Sequence, residues 1–168
     1  KVKVIKGNYE KIKNDLVLKE NETDYILTCN TRPLSDMYLD TNDLPNDFNI
    51  KSKIFPVKID SLKKIDNKFL ILSLRFPPSA NFNFMSGQYI NLIHGDIKRS
   101  YSIANNFEGN KIELFIKNYD KGKMSHYLFN EAKVNDLLRI EGPLGTFYYR
   151  ENEFKNIVFL ATGTGIAP

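Results

Sequence analysis

Between residues 52 and 140 the sequence repeats one pattern: a run of four to eight residues rich in aliphatic and aromatic side chains, with several of the gaps marked by a tight-turn signal. The runs are Ile54 to Ile59, Phe69 to Phe76, Gln88 to Ile93, Arg99 to Ile103, Ile112 to Ile116 and Leu137 to Ile140. Pro77-Pro78, Ser86-Gly87, Gly95-Asp96 and Gly109-Asn110 mark turns between them. Many short strands at close spacing predict an antiparallel barrel, which leaves no exposed edge. One helix interrupts them: Met124, Tyr127, Leu128 and Ala132 recur at helical spacing just after Gly122. The fold expected here is mainly β, a six-stranded antiparallel barrel with one short helix.

Within that frame, Lys98-Arg99-Ser100-Tyr101-Ser102-Ile103-Ala104-Asn105 carries the most chemistry. In a strand, Arg99 and Tyr101 share one face while Ser100 and Ser102 share the other. Arginine is always charged and offers a planar fork of donors that suits phosphate oxygens. Tyrosine offers a flat ring and a hydroxyl, suited to an isoalloxazine and a ribityl oxygen, and a serine hydroxyl or backbone N–H can meet the flavin N5 edge. The other reading of these residues is an ordinary half-buried strand with an exposed Arg and a packed Tyr.

The flanks differ in character. Residues 1 to 7, KVKVIKG, alternate as a short strand closed by Gly7, and residues 25 to 40 read as two short strands around a Pro-containing turn and Cys29. A lone cysteine is most often a small buried core residue. The Asp-, Asn- and Pro-rich stretch over 43–51 reads as a linker. Ile157-Val158-Phe159-Leu160-Ala161 is apolar without alternation, as in a parallel strand buried on both faces, and Thr162-Gly163-Thr164-Gly165 follows as a turn able to approach phosphate. A net charge of +4 over 168 residues, with Lys scattered among acids and no basic stripe, does not point to nucleic acid. No apolar run reaches the roughly 18 residues of a membrane span and no signal peptide is visible, so the expected compartment is the cytoplasm. With no Met at its start and a stop just after an apolar run, the sequence reads as an excerpt of a longer protein.

In their order, these motifs resemble the ferredoxin-NADP reductase superfamily, in the branch built from a [2Fe-2S] ferredoxin domain, an FAD barrel and a nicotinamide domain. Leu27-Thr28-Cys29-Asn30-Thr31-Arg32-Pro33-Leu34-Ser35-Asp36 resembles the segment holding the fourth cluster cysteine of such ferredoxin domains. The resemblance implies a metal-ligand role for Cys29, with the other thiolates upstream of Lys1. It implies the C-terminal part of a β-grasp ferredoxin domain over 1–42, an FAD barrel over 52–152, and over 153–168 the first strand of an α/β nicotinamide-binding domain. Cofactor contacts carried over are Arg99 on phosphate, Ser100, Tyr101 and Ser102 at the ribityl and ring, Ile116 and Lys117 beside them, Gly122, Lys123, Met124 and Ser125 around the pyrophosphate, and Thr162, Gly163 and Thr164 on the nicotinamide side. At the helix start Ser125 is expected to offer its hydroxyl and N–H donors where the positive end of the helix dipole gathers; the other reading of it is a plain N-cap. Ser86-Gly87-Gln88-Tyr89 and Glu141-Gly142-Pro143-Leu144-Gly145-Thr146-Phe147 resemble scaffold segments of the same family.

The activity so implied is an oxidoreductase carrying electrons from NAD(P)H through FAD to an iron-sulfur cluster and then to a partner protein, a dehydrase or an oxygenase component. RSYSIAN and RIEGPLGTFYYRE look most like the reductases that serve a dehydrase in dideoxysugar synthesis. Reductases of phenol or methane monooxygenases and of aromatic-ring dioxygenases are the alternative. A flavin-free barrel that binds a partner would keep the strands but has no need of Arg99, Tyr101 and Ser125 together. No catalytic acid or base is expected, and His94 and His126 read as surface residues without metal-pair spacing.

Overall fold

The computed structural model describes residues 2–12, 23–40, 52–106, 110–148, 156 and 158–168, so the expected linker lies outside the described residues. The chain forms two compact units, Lys1–Phe48 and Asn49–Pro168.

In the first unit, β1 (Val2–Lys6) lies between β3 (Tyr25–Ile26) and β5 (Tyr38–Asp40), while β2 (Tyr9–Lys11) pairs with β4 (Thr31–Pro33), all antiparallel. Gly7 ends β1 at φ +118°, and a Cβ there would stand 2.6 Å from the Asp36 carbonyl, so only glycine fits.

The second unit holds β6 (Lys53–Lys64), β7 (Phe69–Arg75), β8 (Tyr89–His94), β9 (Ile97–Ser102), β10 (Lys111–Lys117), α1 (Lys123–Asn130) and β11 (Leu137–Leu144). The strands run β10-β7-β6-β11-β8-β9, antiparallel throughout. Alternate residues point inward, so Leu70, Leu72 and Leu74 meet Ile112, Leu114 and Ile116 in one core. β6 outruns its expected end because it serves two neighbours: Lys53 to Lys58 pair with β11, and Lys58 to Lys64 pair with β7. Pro56 falls in the half with a single neighbour, where its missing N–H costs no ladder bond.

The mainly β fold, with its six-stranded antiparallel sheet and one short helix, is as expected, and two details add to it. Among the described residues the sheet is open along one seam, where β9 and β10 meet through the bridge Ile103–Leu114 and the Ala104 N–H on the Glu113 carbonyl, 2.8 Å. There α1 packs beside β9, and its Met124, Tyr127 and Leu128 join the barrel core, leaving the outer edge of Ile97–Ser102 without a strand partner. Ile157 lies outside the described residues, and 158–161 form no strand: Val158, Phe159 and Leu160 are 81%, 80% and 92% exposed. A parallel strand needs neighbours on both sides, and none of the described strands flanks this segment. A single 3₁₀ turn, Gly163–Ile166, follows.

Candidate functional site

The free edge of β9 and the start of α1 form the walls of a groove of about 350 Å³. Arg99, Ser100 and Tyr101 line it from β9, Tyr119 from the loop after β10, and Gly122, Met124 and Ser125 from the first turn of α1. Of the residues that sequence reading joined at long range, the strand and the helix start are brought together.

Arg99 is exposed, its Nη1 donates to the Lys98 carbonyl at 2.7 Å, and among the described residues no carboxylate faces it. Its neighbour differs: Lys98 Nζ sits 2.6 Å from Glu141 Oε2, which also accepts from Asn91 Nδ2 at 2.7 Å. Those two hydrogen bonds hold the Glu141 carboxyl below the usual carboxylate range. The unpaired cation therefore stands at the groove while the paired one stabilises the sheet. Tyr101 is partly buried, and desolvation pushes its phenol up to about 12 against the opposing pull of Arg99, so its hydroxyl is neutral at physiological pH.

Gly122, at φ −85° and ψ 106°, is the N-cap of α1, and no side chain caps the helix. Ser125 is thus not a plain N-cap. Its hydroxyl is buried and turned back, donating to the Gly122 carbonyl at 2.9 Å and accepting the Tyr119 N–H at 3.2 Å. It fastens the 119–125 loop rather than presenting a donor to the groove. The first bond of the helix runs from the His126 N–H to the Gly122 carbonyl, 2.8 Å, so the N–H groups of Lys123, Met124 and Ser125 precede the ladder at the positive end of the helix. The exposed ammonium of Lys123 adds to that charge.

Other expected contacts are rearranged. Ser100 Oγ donates to Asn91 Oδ1 at 2.6 Å, which leaves only its backbone for the groove, and Ser102 does not line it. Ile116 is fully buried in the core, and Lys117 is exposed with Nζ 5.4 Å from the centre of the Tyr119 ring. Gly163 and Thr164 line a separate hollow with Leu70 and Ile116, and neither they nor Thr162 reach the groove. Cys29, expected as a metal ligand, is an exposed free thiol in a 3₁₀ turn. It is the sequence's single cysteine, and no group of three or more His, Cys, Asp and Glu that could hold a metal occurs among the described residues. A [2Fe-2S] cluster takes four ligands, so the residues present do not make a cluster site.

Sequence reading missed Tyr119 and placed Gln88 in a scaffold segment without its bonds. The signal for Tyr119 is an exposed aromatic between a strand end and a helix cap. Gln88, 1% exposed, accepts the Met85 N–H and donates to the Gly145 carbonyl, both at 2.9 Å, which fixes the turn before β8 to the end of β11. A larger groove of about 410 Å³ beside Pro56, Phe76 and Leu137 is mostly apolar, and its Arg75 is taken by Asp60 at 3.3 Å.

A free cation, a neutral phenol and the first N–H groups of a helix on one groove fit a flavin carrying phosphates. The family model of the oxidoreductase FAD-binding domain matches residues 56–149. This chain belongs to the FAD-binding oxidoreductase family. A Yersinia pestis member of comparable sequence, named CDP-6-deoxy-L-threo-D-glycero-4-hexulose-3-dehydrase reductase, is 45% identical over 167 residues, covering 98% of this chain and 50% of that protein. The toluate 1,2-dioxygenase electron transfer component of Pseudomonas putida is 31% identical over 95% of this chain and 48% of its own length. Among solved structures, a ferredoxin reductase in carbazole 1,9a-dioxygenase shares the fold at a TM-score of 0.60 and 23% identity, over 90% of this chain and 48% of that one. The chain spans about half the length of these relatives. No helix among the described residues is long and apolar enough to cross a membrane.

Proposed function

We propose that this chain holds FAD in the groove between β9 and α1 and forms the flavin-bearing part of a reductase that draws on NAD(P)H and passes electrons to a partner protein. One observation carries the reading: Arg99, which has no carboxylate partner among the described residues, lines one groove with a neutral tyrosine and the N-terminal turn of a helix. Arg99 binds a phosphate oxygen pair through its fork, and the N–H groups of Lys123 to Ser125 take a second phosphate. Tyr101 packs its ring against the flavin, and the unpaired edge of β9 offers backbone donors and acceptors to its polar rim. When bound, FAD supplies the conversion of a hydride's electron pair into single electrons. None of the groove residues has to act as an acid or base for that.

The higher identity to a dehydrase reductase, 45% against 31%, favours a sugar dehydrase as the partner, of the kind served by CDP-6-deoxy-Δ-3,4-glucoseen reductase, over an oxygenase component. An iron-sulfur acceptor would use Cys29 as one ligand of four, with the other thiolates supplied from outside these 168 residues. Iron and acid-labile sulfide analysis of the full-length protein, with those thiolates present, tests that part, and iron-free full-length protein removes Cys29 from it.

The decisive test titrates the protein with FAD and FMN, following flavin absorbance and fluorescence. Binding of FAD in preference to FMN is expected, because only the dinucleotide offers a pyrophosphate to both Arg99 and α1. Equal binding of the two would move the phosphate contact away from α1, and no binding of either would restore the flavin-free barrel.

A further inference from the structure

His94 and Tyr127 lie face to face, with ring centroids 3.7 Å apart and planes 11° from parallel. His94 ends β8 and pairs with Ile97 across the Gly95-Asp96 turn, so it moves with the β8–β9 hairpin. Tyr127 lies in the middle of α1, 8% exposed, and its hydroxyl donates to Asp136 Oδ2 at 3.1 Å. Asp136 Oδ2 in turn accepts the Lys133 N–H at 2.9 Å, anchoring the tyrosine to the turn before β11.

Neither ring lines the groove, yet the pair joins its two walls. One wall is β9, with Arg99 and Tyr101. The other is the start of α1. Strand pairing does not fix their separation, because among the described residues β9 meets β10 just past its end, at the Ile103–Leu114 bridge and the Ala104 N–H on the Glu113 carbonyl, and α1 shares no ladder with any strand. Side-chain packing has to do it, and the stacked pair is a flat, close contact in which ring atoms of the hairpin bear directly on the helix. A ligand that touches both walls binds more tightly when the walls are already at the right distance, since less ordering remains to be done on binding.

We propose that His94 is a positioning residue for flavin binding: its stack on Tyr127 sets the gap between β9 and the first turn of α1. The ligand in this inference rests on the flavin reading above, whereas the clamp can be measured without flavin. His94→Leu keeps much of the side-chain volume and removes the flat ring, and His94→Phe restores a ring. In the full chain, His94→Leu is expected to weaken FAD binding about three- to tenfold, the range of one lost aromatic pair. It is also expected to speed amide hydrogen exchange over Lys123–Asn130 in the flavin-free protein. His94→Phe should return both towards the unsubstituted values, which loss of general stability would not predict. The proposal is overturned if His94→Leu leaves FAD affinity unchanged, whether or not exchange quickens, or if His94→Phe restores neither quantity. Should the unsubstituted protein bind no FAD, the flavin reading fails first, and the exchange comparison still shows whether the stack holds α1.

Discussion

Ser125 Oγ donates to the Gly122 carbonyl at 2.9 Å, and the position a Cβ would occupy on Gly122 lies 2.5 Å from that same oxygen. The backbone at Gly122 is one that alanine adopts without strain, so a substitution there acts through crowding, chiefly against Ser125 Oγ and less against Tyr119 Cβ at 3.0 Å. Gly122→Ala should push the Ser125 hydroxyl out of its bonds and cost about 1–3 kcal/mol, as overpacking does. Ser125→Ala should cost about 1 kcal/mol for the lost hydrogen bonds. Because alanine at 125 removes the atom that collides, the double variant should be no less stable than Gly122→Ala alone. Urea denaturation of the four proteins checks this, and strictly additive losses would show that the two sites do not communicate through that oxygen.

Arg99 separates charge from geometry. Arg99→Ala removes a charge-assisted contact worth about 1.5–3 kcal/mol, which is roughly ten- to a hundredfold in FAD affinity. Arg99→Lys keeps the charge but not the fork, so affinity should fall to between the two. Since Arg99 is exposed and bonds only to its neighbour's carbonyl, melting temperatures without flavin should stay close to that of the unsubstituted protein. Equilibrium titration with FAD provides the measurement, and an alanine variant with unchanged affinity would remove Arg99 from the site.

The strands were legible because period-two alternation is the same property that buries them: Leu70, Leu72 and Leu74, or Ile112, Leu114 and Ile116, can only face one side. β6 was read short because a register shift between Ile59 and Ser61 breaks the alternation where the strand changes neighbours. At the site, residue types were legible but hydroxyl directions were not. Ser125 is turned by Tyr119, six residues before it, and Ser100 by Asn91 across a hairpin. Such directions depend on which groups the fold brings within hydrogen-bonding distance, and spacing along the chain carries no record of that. The segment 158–161 forms no strand for another reason: its apolar character specifies burial, and burial requires partner strands.

Gln88 makes its contribution through two bonds from one buried amide, to the Met85 N–H and the Gly145 carbonyl. Both ends belong to backbone turns, so Gln88→Ala leaves the two groups without that partner in a site closed to water. A loss of about 2–3 kcal/mol is expected. Gln88→Glu supplies an acceptor for Met85 but, when ionised, no donor for Gly145, and should be at least as damaging near neutral pH. It should recover in part as pH falls and the carboxyl regains a proton. Thermal melts of both variants between pH 4 and 8 measure the effect, and a pH-independent Gln88→Glu would contradict the assigned bonding.

Tyr101 and Tyr127 make stability depend on alkaline pH in a predictable direction. Burial raises both phenols to about 12 from an ordinary value of 10.0, and for Tyr127 the bond to Asp136 and that carboxylate's charge add to the effect. The folded state therefore holds these protons where the unfolded chain releases them. Their contribution is complete below pH 10, declines as pH rises through the interval up to 12, and is gone above it. Denaturant midpoints measured from pH 8 to 12 should fall more steeply above pH 10 in the unsubstituted protein than in Tyr101→Phe or Tyr127→Phe, each of which removes one titrating group. Tyr101→Phe should also retain most of the FAD affinity, because the ring packs against the flavin and the hydroxyl adds only one neutral bond. If both variants followed the same slope as the parent, the two phenols would have to ionise alike in folded and unfolded chains, and the buried setting of Tyr101 beside the groove would be wrong.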